Sequence, residues 1–492
     1  MLFIGLDIGT SATKCLLMNE AGEVLNIERA SYPTSFPEPG WSEQDPELWW
    51  NAVCDCIPRL LEGFDASQVV ALGSCGQMHG LVVLDEKGEV IRPAILWNDS
   101  RTRYQVDYLN REVGVKTVAS YTGNVAYTGF TAPKLLWLRE EEPVNFSRIA
   151  KVMLPKDYVN LRLTGVASTD CTDASGTLLL DVRNRSWSRP MMSVCGLREC
   201  QLPQLFESWE TVGEVLPEIA RQLGLPEGVR VCAGAGDNAS AAVGTGAVGP
   251  GRCNIVMGTA GTIFMTTEGF LTDGRNRLHS FCSADGGFNL MGCILTGAGC
   301  NAWWMDEILQ ASDYEAEQAL VQGGRLGQND VYFLPYLMGE RTPHNDPRAR
   351  AAFVGMRMDT SRADMTQAVL EGVAYALCDC LGAAREEEVE VLASTICGGG
   401  AKSPLWRAIV ADVLGIPLQI PQTEQAPAFG AAMLAAVSAG LYPDVGECAH
   451  ALVKVSPRMV MPNLKIRSLY QGHYDVWHSL YPALQSVYQQ IL

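Results

Sequence analysis

Residues 3–18 read Phe-Ile-Gly-Leu-Asp-Ile-Gly-Thr-Ser-Ala-Thr-Lys-Cys-Leu-Leu-Met, two apolar runs joined by a short Gly/Thr/Ser turn with Asp7 beside it. The pattern predicts a β-hairpin that carries a carboxylate and a cluster of small donors at its tip. Gly9 allows close approach of a ligand to the backbone, and Thr10, Ser11 and Thr13 add hydroxyls to the backbone N–H groups. Such a tip can cradle a phosphate, with Asp7 holding Mg²⁺ directly or through water. An ordinary tight hairpin fits this stretch equally well. The arrangement recurs, however, at residues 254–265, Asn-Ile-Val-Met-Gly258-Thr259-Ala-Gly-Thr262-Ile-Phe-Met. Two such hairpins half a chain apart imply an internal duplication, with one nucleotide's phosphates clamped between two related domains.

That layout resembles the actin-like phosphotransferase fold. With 492 residues, two domains are expected. Strands are expected at 3–7, 13–18, 23–29 and 69–74, and from 229 into a Gly/Ala-rich helix after Asp237. A hairpin is expected across 81–96 around an Asp85–Gly88 turn. Asp45-Pro46 marks a helix start, with Asp45 as N-cap and Pro46 at the first helical position. Past residue 250 the pattern restarts, with a helix over 362–385, a strand over 389–397, a turn at Gly398–Lys402 and a helix over 405–414. The predicted class is α/β: a two-domain actin-like (ribonuclease H-like) phosphotransferase fold, with a mixed sheet in each domain and an inter-domain cleft. The expected domains are 1–248 and 249–492, joined near Pro250-Gly251.

The formal net charge of −18 argues against nonspecific nucleic-acid binding. No run of about 18 apolar residues occurs, so no membrane span is expected. The N-terminus lacks a basic leader, and its apolar run is broken by Asp7 and Gly9. The 16 cysteines sit mostly within apolar runs and read as buried thiols in a reducing cytoplasm. Cys54-x-Cys56 and Cys378-x-Cys380 lie in helix-like patterns, and no Cys-x-x-Cys or His pair supports a zinc site.

Gly234–Ala239, Gly244–Gly249 and Gly297–Ala302 all fit Gly-x-Gly-x-x-Gly/Ala, but in a chain with 48 glycines the match is weak. The first puts Asp237 where a pyrophosphate would sit, which disfavours a nicotinamide dehydrogenase. Gly398–Ser403 is not a Walker A loop, though three glycines between strand and helix can let a nucleotide lie on bare backbone. Asp237 reads either as an N-cap or as a general base kept ionised by the helix dipole. His79 in a Gly-bounded turn and Trp97-Asn98-Asp99 at a strand end offer imidazole, indole, amide and acid to a small polyhydroxylated substrate.

These segments together resemble the FGGY carbohydrate kinases over essentially the whole chain. The matching stretches include Asp7–Ser11, Trp41–Trp50, Gly76–Gly80, Arg92–Asp99, Gly129–Trp137, Leu154–Tyr158, Gly236–Ala239, Phe333–His344 and Gly398–Ala401. Gln-Met-His-Gly and Trp-Asn-Asp point within the family to the branch acting on xylulose.

The resemblance implies ATP-dependent phosphorylation of D-xylulose at C5, with Asp237 as base and Asp7 organising Mg²⁺. It places Met78, His79, Trp97, Asn98, Asp99 and Asn238 at the sugar. Gly9, Thr10, Ser11, Gly258, Thr259 and Thr262 fall at the phosphates, and Gly399, Gly400 and Ala401 at the nucleoside. Ala260 departs from the usual Gly-Thr-Ser-Gly but spares the backbone donors. The partners implied are sugar and ATP, with no nucleic acid and no membrane, in the cytoplasm. A homodimer is left open. Two other functions remain open: the same chemistry on ribulose, gluconate or a deoxy-ketose, and a noncatalytic actin-like sensor of sugar or nucleotide.

Overall fold

The computed structural model describes residues 1–321 and 325–491. Each half is built on a mixed sheet, and the two sheets share a plan. In the first, Leu2–Ile8 pairs antiparallel with Ala12–Asn19 and parallel with Val69–Gly76. The strand order is Thr211–Glu214, Arg230–Cys232, Val69–Gly76, Leu2–Ile8, Ala12–Asn19, Val24–Ser31, and a seventh strand, Ala235–Gly236, also pairs with Val69–Gly76. In the second, Arg252–Met257 pairs antiparallel with Gly261–Thr267 and parallel with Ala393–Cys397. The repeated hairpin is therefore the topological seed of both sheets. All seven residues of Leu2–Ile8 are buried, as expected for a central strand covered on both faces.

The helix Pro46–Leu60 starts as its sequence predicts. The Asp45 carboxylate accepts the Glu47 N–H at 3.0 Å, and Pro46 fills the first turn, where no N–H is needed. Trp49, Val53, Cys56, Ile57 and Leu60 recur every three or four residues and form its buried face.

One expectation changes. Residues 81–96 do not make a self-contained hairpin. The Asp85–Gly88 turn closes, with Asp85 N–H donating to the Glu89 carbonyl and Ile91 N–H to that of Val83, but the strand pairing is limited to single bridges, Leu84 to Val90 and Leu81 to Ile95. Val82–Leu84 pairs instead with Lys151–Met153, and Ala94–Ile95 with Glu43–Gln44.

One element of the second half packs on the first. The helix Ala426–Ser438 belongs by sequence to 249–492, yet it lies on the first sheet. A Cβ added at Gly5 would stand 1.9 Å from the Ala428 carbonyl oxygen, and one at Gly73 2.2 Å from that of Ala431. Helix backbone thus rests directly on strand backbone, which only glycine permits. The same helix crosses Asp237–Thr245, where Ser240 Oγ donates to the Pro427 carbonyl at 2.7 Å. One core cluster accordingly joins Phe3 and Ala71 to Ala428 and Met433.

The 16 cysteines are free thiols, most of them buried. Among the described residues no helix is long and apolar enough to cross a membrane, and no cluster of three or more metal-ligating side chains occurs.

Candidate active site

The first hairpin tip is held from three sides. Gly9 N–H donates to the Ala12 carbonyl, closing the turn. The Thr10 hydroxyl donates to Gln77 Oε1 at 3.1 Å and accepts Trp97 Nε1–H at 3.0 Å. Gln44 Nε2 donates to the Thr10 carbonyl at 2.6 Å, and the Tyr32 hydroxyl to that of Gly9 at 2.6 Å. Ser11 remains exposed at the tip. Trp97, expected at the sugar, braces the first hairpin. Gln77 and Tyr32 were not singled out from sequence; Gln77 stood in plain sight in the Gln-Met-His stretch.

Asp7 is buried, 3.8 Å from Lys14 Nζ and 3.9 Å from the Cys75 sulfur. Burial pushes its carboxyl above the usual range, and Lys14 pulls it back in part.

Register brings Asp237 to the same edge. Asp7 lies opposite Cys75, and Cys75 opposite Ala235. The two acid-bearing strands thus sit two strand spacings apart, about 10 Å, and end on one side of the sheet. Asp237 is the first residue of its helix; the N-cap is Gly236, so the capping alternative does not hold. Its Oδ1 accepts the N–H of Asn238 at 2.7 Å and Asn238 Nδ2 at 2.9 Å. The expectation that the helix dipole keeps Asp237 ionised needs correction. The residue is half-buried. Burial first, and the Asp7 charge second, push its pKa up to about 7. A dipole worth about 0.3–1 kcal/mol is outweighed by these two effects.

Met78 and His79 follow the strand that separates the two acids. An added Cβ at Gly236 would meet Met78 Cγ at 2.9 Å, so Met78 packs against the backbone just before Asp237. His79 is buried with φ of 69°. Its Nδ1 lies 2.8 Å from the Gly176 carbonyl, and its ring stacks on Phe130 at 4.7 Å. A carbonyl only accepts, so Nδ1 carries the proton and Nε2 keeps its lone pair. Burial lowers its pKa to about 3, which keeps the ring neutral.

Two residues of the Trp-Asn-Asp stretch stand apart. Asn98 is exposed. Asp99 is enclosed and engaged by Arg101 Nε and Nη2 and by the Ser42 N–H at 2.6 Å. Its lone pairs are taken up within the protein, so it holds the loop rather than offering a free carboxylate.

The second half reaches the same place. The Thr262 hydroxyl donates to Asn238 Oδ1 at 3.2 Å, next to Asp237. The carbonyls of Gly258 and Thr259 accept Ala298 and Gly297 N–H, both at 2.7 Å, which ties this hairpin to a helix start. Beyond it opens a cavity of about 810 Å³, lined by Gly399, Gly400, Ala298, Asn301, Tyr314 and Gln318 among others. Ala401 is not on that wall: it is buried behind, its carbonyl accepting from Arg407 at 2.6 Å.

Two duplicated sheets, each sending a Gly/Thr hairpin toward one pair of carboxylates, make this an actin-like phosphotransferase fold. The chain belongs to the FGGY family of carbohydrate kinases: residues 2–244 match the family's N-terminal domain and residues 253–439 its C-terminal domain. It is 40% identical over 490 residues to the xylulose kinase of Escherichia coli (strain K12), spanning 98% of this chain and 99% of that one. A ligand-bound xylulose kinase from Lactobacillus acidophilus superposes with a TM-score of 0.94 at 26% identity, covering all of both chains. A gluconate kinase from the same organism gives 0.94 at 26% identity, over 100% of this chain and 99% of that one.

Proposed function

We propose that this enzyme transfers the γ-phosphoryl group of ATP to the C5 hydroxyl of D-xylulose, with Asp237 as general base. What carries the reading is the meeting of Asp237, Asp7, His79 and the Thr262 hairpin at one sheet edge. The 40% identity to a xylulose kinase over nearly the full chain favours xylulose over other sugars. The equal fold match to a gluconate kinase shows that fold alone does not choose the acceptor.

In this reading the sugar lies between His79 and Asp237. The lone pair of His79 Nε2 accepts a sugar hydroxyl proton, and Met78 supplies an apolar wall. Asp237 accepts the C5 proton as the oxygen attacks phosphorus in line. A pKa near 7 suits that task, because about half of the groups are ionised at neutral pH and the ionised form is basic enough to take a proton. The hairpins around Thr10 and Gly258 hold the phosphates, and the nucleoside enters the cavity at Gly399 and Gly400. Asp7 presents the hard oxygen donor that Mg²⁺ prefers, with waters and phosphate oxygens completing the shell. When bound there, the ion supplies charge neutralisation on the phosphates. A cytoplasmic location, where ATP is at hand, accords with this chemistry.

The test is a coupled ADP-release assay on xylulose, ribulose, gluconate and a deoxy-ketose. Xylulose should give the highest kcat/KM. A higher value for another acceptor reassigns the sugar, and absence of turnover with any acceptor favours a sensor.

A further inference from the structure

The buried helix Cys171–Ser175 plays no part in the mechanism above, yet its hydrogen bonds end on the site from several sides. The Thr172 hydroxyl accepts the N–H of Gly236, the residue before Asp237, at 2.9 Å. That hydroxyl donates its own proton to Asp170 Oδ2 at 2.5 Å, so its lone pairs are left facing Gly236. Asp170 Oδ2 also accepts the Thr172 N–H at 2.8 Å and the Ser208 hydroxyl at 3.0 Å. Lys156 Nζ stands 2.9 Å from the other oxygen of Asp170, and both side chains are fully enclosed. Where the helix ends, the Gly176 carbonyl orients His79. Ser175 Oγ accepts the N–H of Cys282, on a strand of the second half, at 3.1 Å.

We propose that Lys156, Asp170 and Thr172 form a positioning relay. The relay fixes the Gly236 N–H, and through it the carboxylate of Asp237, relative to His79. Gly236 needs such a restraint: glycine leaves the backbone before the base free to rotate, and a Cβ there would collide with Met78. Lys156 also faces Asp157 at 2.6 Å and Asp173 at 3.8 Å, all without solvent contact. Apolar residues of similar volume would serve mere stability as well or better, so a buried charge cluster in this place fits a geometric task. Thr172, Asp170 and Lys156 touch no substrate in this scheme. They act through Asp237, so the inference rests on that residue being the base.

The test compares Thr172→Val, isosteric but without the hydroxyl, with Thr172→Ser, which keeps it. Steady-state kinetics are read beside calorimetric affinities for D-xylulose and a nonhydrolysable ATP analogue. Thr172→Val should lower kcat about 10- to 100-fold, the scale expected for a misplaced catalytic group, while both affinities stay within about twofold. Thr172→Ser should restore kcat to within about threefold of wild type. Should the valine variant fail to fold, Thr172→Ala carries the same prediction. Wild-type kcat in the hydroxyl-free variant overturns the relay, as does a joint loss of affinity and kcat that serine does not repair. Asp237→Asn in the same assay separates the two ideas. If it turns over normally, the base assignment has failed. If it is inactive while Thr172→Val is normal, only the relay has failed.

Discussion

Replacing Asp237 by Asn should move activity and stability in opposite directions. The amide keeps the shape and can still accept the Asn238 N–H bonds, but it cannot take a proton. Turnover should fall about 10²- to 10⁴-fold. Stability should rise, because the native enzyme holds a carboxyl whose pKa is pushed from 3.8 up to about 7 by burial and by Asp7. A carboxyl raised in the folded state binds its proton more tightly there than in the unfolded chain. Its penalty is therefore absent below about pH 4, builds through the interval up to about 7 and is complete above it. The full shift corresponds to about 4 kcal/mol, and screening by cleft water reduces this to about 2 kcal/mol. At pH 8 the variant should melt about 4–8 °C higher than wild type, and the gain should shrink toward pH 5. Scanning calorimetry at the two pH values measures it. Equal melting temperatures at pH 8, or an equal gain at pH 5, would refute the electrostatic argument. Retention of more than about a tenth of wild-type kcat would remove Asp237 from the base role.

His79→Ala should raise KM for xylulose by the equivalent of about 1–3 kcal/mol, with ATP affinity of the sugar-free enzyme unchanged. Because burial keeps His79 neutral, with a pKa of about 3, its contribution should stay flat between about pH 5 and 8, read from the mutant-to-wild-type KM ratio. At Gly399 an added Cβ meets nothing within 4 Å. Gly399→Leu should therefore fold normally and raise KM for ATP by about tenfold, ~1.4 kcal/mol, with calorimetric sugar affinity intact. Loss of sugar binding instead would displace the nucleoside from that cavity.

Much of the fold was legible because it is written in short-range pattern. The two hairpins, the Asp45 cap and the strand leading to Asp237 all follow from alternation, glycine and a capping side chain within a few residues. What was missed depends on groups remote in sequence. Val82–Leu84 takes its partner from Lys151–Met153, and no local signal announces that pairing. The helix Ala426–Ser438 settles on the first sheet because Gly5 and Gly73, hundreds of residues earlier, leave room for its carbonyls. The ionisation of Asp237 was misjudged for the same reason. A helix N-terminus is visible locally, whereas the enclosing protein and the charge of Asp7 are not. Asp99 looked like a ligand by type and position, and only the structure turns Arg101 and Ser42 onto it.

The central claim is phosphoryl transfer to C5 of xylulose, and the product itself tests it most directly. Wild-type enzyme is incubated with D-xylulose carrying ¹³C at C5, ATP and Mg²⁺, and the mixture is followed by ¹³C and ³¹P NMR. One sugar phosphate should form, with phosphorus–carbon coupling at C5 and ADP in equal amount. Inorganic phosphate without sugar phosphate, or phosphate on any other carbon, would contradict it.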